Sequence, residues 1–230
     1  MKKLIILIAL LAVAPEVIAQ EECRPYLPIE VGTQWEMTNY NAKGKQQGKI
    51  SYELLDMVTS GNETVFTVAT KTFDKKGTEI YTNNFTAKCV DGKFEFDMAM
   101  KMDGAAMGPF QNMDVEVDAS RYSIPDADAA AGTALEDGSL RVSSTGGGIG
   151  INMTVAITDR LVEARETIST EAGEFDCLVL TQKVATKVVI NVRGASKEWY
   201  APNIGVVRTE SYNKKGKLLG YSEITSISKK

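Results

Sequence analysis

Met98-x-Met100-x-Met102, with Met107 and Met113 close behind, is the densest run of chemically distinctive side chains in this sequence. Thioethers at alternate positions are soft donors, the kind that hold Cu(I) in an oxidising compartment. The same three methionines continue the face of Phe94 and Phe96, while Lys93, Glu95, Asp97 and Lys101 take the opposite face of a two-residue alternation. That company points to an apolar wall rather than a copper site. Methionine beside phenylalanine makes a flexible, polarisable lining that adapts to varied apolar ligands, acyl chains included. Phe94, Phe96, Met98, Met100 and Met102 are therefore the candidate ligand-binding residues, with no metal and no cofactor assigned.

Other motifs carry less chemistry. Asp114-x-Glu116-x-Asp118 opens like a calcium loop, but Ala119 stands where the sharp-turn glycine belongs and no bidentate Glu follows at the right spacing. Val115 and Val117 alternate with those acids, as on an edge strand with an acidic outer face. Gly146-Gly147-Gly148-Ile149-Gly150 lacks the Lys-Ser/Thr of a phosphate loop and opens a strand, so it reads as a hairpin loop. The chain contains no histidine, which removes His-based triads, Cys–His pairs, imidazole metal ligands and imidazole pH switches together. A carboxylate hydrolase with two opposed acids stays open as a third reading, and no catalytic residue is assigned.

Three cysteines in an oxidising compartment suggest one bridge and one spare thiol. Cys177 lies within the apolar run Phe175 to Leu180 and reads as a buried small hydrophobe. Cys23, in the N-terminal arm, and Cys89, beside the Asp91-Gly92 turn, are the expected disulfide partners.

The elements that must position these side chains are strands. One turn chemistry is used three times, in Tyr40-Asn41-Ala42-Lys43-Gly44-Lys45, Phe73-Asp74-Lys75-Lys76-Gly77-Thr78 and Tyr212-Asn213-Lys214-Lys215-Gly216-Lys217. An aromatic ends a strand, Asn or Asp opens the turn through its side-chain acceptor, and glycine takes the left-handed position. Leu140 and Val142 are expected to pair with the strand Ile149 to Ile157, followed by strands Leu161 to Thr170, Phe175 to Val192 with a bend or bulge near Gln182 to Ala185, Lys197 to Tyr200, Val206 to Tyr212 and Lys217 to Ile227. The strand face of Phe94 is expected to run unbroken to Met102. Only 103–113 breaks the sheet, with room for one short helix. The pattern predicts an all-β domain of long antiparallel strands, curved into a half-barrel or up-and-down barrel, with a two-sheet sandwich as the alternative.

Address and charge bound the partners. Lys2 and Lys3, the apolar run Leu4 to Ala14, and Val17-Ile18-Ala19 read as an export signal over residues 1–19, leaving a single domain over 20–230 in the periplasm or outside the cell. The run is about half of a bilayer span, and no later stretch is long and apolar enough to be one. Glu21-Glu22 stand where a lipid-anchored lipoprotein would need small and aliphatic residues before Cys23. A net charge of −4 argues against nucleic acid and anionic lipid head groups as partners.

Tyr26-Leu27-Pro28 with Gly32-Thr33-Gln34-Trp35, then Glu171-Ala172-Gly173-Glu174-Phe175-Asp176-Cys177, and Glu198-Trp199-Tyr200-Ala201-Pro202-Asn203-Ile204-Gly205-Val206-Val207-Arg208 together resemble a family of exported Bacteroidetes-type proteins of unknown function. The likeness continues through the Tyr212 to Lys217 turn and spans nearly the whole mature chain. It implies an all-β fold, akin in architecture to the half-barrel of the LolA and LolB lipoprotein carriers, and such an analogy brings no function with it. The expected function is non-enzymatic binding of an apolar ligand, a hydrophobic small molecule, lipid or lipoprotein acyl chain, in a curved sheet. The alternative is an envelope scaffold or interaction module with a filled core. Oligomeric state is not legible.

Overall fold

The computed structural model describes residues 23–101, 115–144 and 151–229. The expected leader over 1–19, Met102, the break at 103–113 and the glycine loop at 146–150 lie outside the described residues.

Thirteen strands form one antiparallel sheet. They are β1 (Gln34–Asn41), β2 (Gln46–Ser60), β3 (Glu63–Asp74), β4 (Glu79–Val90), β5 (Lys93–Asp97), β6 (Val115–Ala119) and β7 (Arg121–Ile124), then β8 (Gly138–Ser144), β9 (Ile151–Thr170), β10 (Gly173–Lys187), β11 (Asn191–Ala201), β12 (Gly205–Asn213) and β13 (Leu218–Ser228). Their spatial order is β6-β8-β9-β10-β11-β12-β13-β1-β2-β3-β4-β5-β7, so a single sheet replaces the two-sheet alternative. β6 and β7 are separated by Ser120 alone, yet β6 pairs with β8 and β7 with β5. That one segment draws both ends of the order together, and the sheet curls into a nearly closed barrel. Ser120 ties the corner, its amide donating to Ser139 O at 2.9 Å and its carbonyl accepting from the Met98 amide at 3.2 Å. No helix among the described residues is long and apolar enough to cross a membrane.

Alternation builds the interior. Leu54, Phe66, Val68, Leu178, Leu180 and Ile224 are buried from four strands around the curve, β2, β3, β10 and β13, with Phe66 and Val68, and Leu178 and Leu180, spaced two residues apart. The three repeated turns form by one mechanism. Asn41 Oδ1 accepts from the amides of Lys43 and Lys45 at 2.9 and 3.1 Å. Asp74 Oδ1 does the same for Lys76 and Thr78, and Asn213 Oδ1 for Lys215 and Lys217. Gly44, Gly77 and Gly216 sit at φ 76°, 83° and 74°, the left-handed region that costs glycine nothing. Each turn is preceded by a bulge at its aromatic, at Tyr40, Phe73 and Tyr212.

A glycine on the neighbouring strand faces each of these turns. Gly220 pairs with Asn41, Gly48 with Asp74, and Gly194 with Asn213. A Cβ at Gly48 would lie 2.5 Å from Phe73 O, one at Gly220 2.6 Å from Tyr40 O, and one at Gly194 would press on Tyr212 O. Gly194→Ala is therefore expected to cost about 1–3 kcal/mol, the range for overpacking a rigid site, read as a lowered urea midpoint with unchanged slope.

Three expectations need correction. The strand of Phe94 and Phe96 stops at Asp97, and Met98–Lys101 is a 3-10 turn. The two-residue pattern continues there but the ladder does not: Ala87↔Phe96 is near its end on one side and Asp97↔Arg121 on the other. The turn drops Met98, fully buried, into the notch left by Gly138, where a Cβ would lie 3.0 Å from its Sδ. β9 is one strand through Ile151–Thr170 rather than two, bent where Asp159 takes φ 52°. The stretch from Phe175 carries the expected bulge, between Thr181 and Lys183, but it ends at Lys187, because Val188, Val189 and Ile190 form the turn between β10 and β11. β-branched apolar residues read as strand wherever they occur.

Cys23 and Cys89 are joined by a disulfide, their Cα atoms 6.0 Å apart. Cys177 is a buried free thiol, and burial first, then Asp176 and Glu166, push it up to about 12.

Candidate functional site

The curled sheet leaves a hollow of about 730 Å³ on its concave side. Its floor is aromatic. Tyr26 stands edge-on to Phe94 and Tyr200, with ring centroids 6.0 and 5.5 Å away, and Trp35 stacks on Tyr52 at 5.2 Å. The N-terminal arm delivers Tyr26, held by Tyr26 Oη donating to Pro125 O at 2.9 Å and by the Asn203 amide donating to Pro25 O at 2.7 Å. Met37, Ile50, Phe85 and Val206 line the walls. The lining continues to Gln47, Asp74 and Leu219, beside the three repeated turns, where Gln47 and Leu219 are exposed. The hollow thus runs from a buried aromatic floor to an open, turn-lined rim.

Phe94, Phe96 and Met100 line it. Met98 does not: the 3-10 turn carries it behind the lining, against Tyr122 and Gly138. Met102 lies outside the described residues. The same turn brings in a residue assigned by alternation to the solvent face. Lys101 reaches into the hollow and forms an ion pair with Glu198, their side chains 17% and 5% exposed.

A polar chain extends from this pair. Lys101 Nζ donates to Tyr200 Oη at 2.6 Å, and Tyr200 Oη donates to Glu198 Oε2 at 2.5 Å. The other carboxylate oxygen accepts from Gln182 Nε2 at 3.0 Å, which also donates to Ser196 Oγ at 2.8 Å. Gln182 Oε1 accepts in turn from Tyr122 Oη at 2.5 Å. Burial pushes both phenols up, Tyr200 well above the ordinary range with Glu198 adding to it, so both stay protonated donors. Lys101 Nζ lies 4.6 Å from the centre of the Tyr122 ring and the Arg160 guanidinium 3.6 Å from it, geometries in which ring quadrupoles favour cations. The result is one charged, hydrogen-bonded cluster beside the aromatic floor, in a lining that also includes Asn39, Thr72, Thr209 and Ser211. Such a site orients a polar group on an apolar ligand.

Glu198, Tyr200 and Trp35 were legible as motif or core residues but not as lining. The available signal was the shared strand face of Ser196, Glu198 and Tyr200, two residues apart. Lys101 gave none, because its placement depends on where pairing ends.

The family model described as DUF3108-like matches residues 30–224 of the chain. No curated protein matches it. Two solved structures share the fold at a TM-score of 0.80 each. One, a candidate lipoprotein from Parabacteroides distasonis, is 26% identical. The other, a candidate exported protein with a YmcC-like fold from Bacteroides fragilis, is 27% identical. Each covers 90% of this chain and is itself covered in full.

Proposed function

The chain belongs to the DUF3108-like family, and from that premise we propose that it is an exported, non-enzymatic protein that binds an apolar ligand, a lipid or acyl chain, in its curved sheet. The observation that carries this reading is the hollow of about 730 Å³, lined by Tyr26, Trp35, Phe94, Phe96 and Ile50. Its volume lies within the range of sites that enclose small organic ligands. Packed interiors rarely keep voids larger than a water molecule, so a scaffold with a filled core gains no support from it. The Bacteroidetes relatives described as a lipoprotein and an exported protein agree with the leader-like start of the chain.

Native mass spectrometry of protein purified without detergent tests the reading. We expect a lipid-sized adduct, or uptake of a fluorescent fatty-acid probe, that Ile50→Trp and Val206→Trp each abolish by filling the hollow. A clean apo mass together with no probe uptake by the unmodified protein would refute it.

A further inference from the structure

The chain's acidic balance conceals a strongly basic rim. The ladder places four turns at one end of the sheet. Gly220↔Asn41, Gly48↔Asp74 and Gly194↔Asn213 align the three repeated turns, and the β10–β11 ladder ends beside them at Lys187↔Asn191. Lys43, Lys45, Lys75 and Lys76 are exposed on the first two turns, and Lys214, Lys215 and Lys217 on the third. Lys187 and Arg193, also exposed, flank the fourth. None of these cations has an ion-pair partner among the described residues. Of the nearby acids, Asp74 is engaged by turn amides and Glu79 by Lys71 and Thr82, while the exposed Glu171 acts on Tyr40 ahead of the first turn.

The fourth turn breaks the polar recipe of the other three. Val188, Val189 and Ile190 are 44%, 92% and 72% exposed. A turn at the tip of a long hairpin that serves only solubility has no use for three apolar β-branched residues in water. Apolar side chains projecting from a ring of flexible cations match a bilayer interface. The hydrocarbon enters the headgroup boundary while ammonium groups meet phosphates. The open end of the hollow lies at this same rim, marked by Gln47, Asp74 and Leu219.

We propose that this rim docks the protein on an anionic membrane surface, with Val188, Val189 and Ile190 entering the interface and the turn lysines binding lipid phosphates. The inference goes beyond ligand binding and stands whether or not the hollow is filled. Net charge misleads because attraction acts over about 8–10 Å at physiological salt, so the surface senses the rim and not the far side.

Co-sedimentation of the exported protein with vesicles tests it. Binding to vesicles containing phosphatidylglycerol is expected, with little to vesicles of phosphatidylcholine alone and with weakening as salt rises. Val189→Asp with Ile190→Asp, both at exposed positions, should weaken binding roughly tenfold or more at an unchanged melting temperature. Lys43→Gln, Lys75→Gln, Lys214→Gln and Lys215→Gln combined should do so by at least as much. No sedimentation with phosphatidylglycerol vesicles overturns the proposal. So does retention on an acidic polypeptide matrix that depends on the lysines while vesicle binding ignores Val189 and Ile190, which would assign the rim to an acidic protein. Loss of the fatty-acid probe without loss of vesicle binding would instead count against the hollow and leave the rim intact.

Discussion

Lys101→Met should destabilise the protein by about 3 kcal/mol or more, because it strands the Glu198 carboxylate where its side chain is only 5% exposed. Tyr200 and Gln182 would still donate to that carboxylate, but Arg160, the cation left beside Tyr122, is committed to that ring and to the Glu136 and Ser123 carbonyls. For a chain of this length the loss corresponds to a melting temperature lower by roughly 6–12 °C. The informative comparison is the pair Lys101→Met with Glu198→Gln. A glutamine at 198 can accept from Gln182 through its oxygen and donate through its NH2 to Tyr200 Oη, which the lysine no longer occupies, so most of the lost stability should return without the charges. Thermal unfolding of both singles and the double, run as a cycle, measures the coupling. Equal and additive losses would mean the pair contributes nothing as a pair.

Removing the Cys23–Cys89 bond should cost about 4 kcal/mol on chain-entropy grounds, since it closes a loop with a sequence separation of 66. The effect on the hollow follows from which segment is tethered. Cys23 anchors the arm that supplies Tyr26 and Leu27 to the floor, and Cys89 sits opposite Phe94 on β5. Cys23→Ala with Cys89→Ala should therefore lower the denaturation midpoint and weaken probe uptake together. Dithiothreitol should reproduce the loss in the unmodified protein and change nothing in the double variant. A variant as stable as the parent would show that the arm is held by its other contacts alone.

Much of the architecture was readable because it is locally encoded. The three aromatic-Asx turns declare themselves within six residues, and Asn41, Asp74 and Asn213 act as their types dictate. Strand existence followed from alternation. What escaped depended on partners far along the chain. Nothing near Asp97 announces that its ladder ends there, since that is decided by β7 and by the notch at Gly138. The 3-10 turn that results moves Met98 out of the lining and Lys101 into it. Val188 to Ile190 fooled the pattern for a different reason. Residue type encodes a preference for strand, and the demand of an outside surface can override it at a tip.

The glycines opposite the three turns have a consequence for how the chain finds its alignment. A hairpin that slipped by two residues would keep its apolar side inward, so hydrophobic burial alone would not reject it. Such a slip would set Gln46 or Ile50, Val192 or Ser196, Leu218 or Ser222 where Gly48, Gly194 and Gly220 now stand. Each would drive a side chain into a carbonyl that only a bare α-carbon can approach. The sheet thus carries three independent proofreading points, two in the β2–β3 and β11–β12 hairpins and one where the last strand meets the first, that censor the mispairings its own periodicity would otherwise permit.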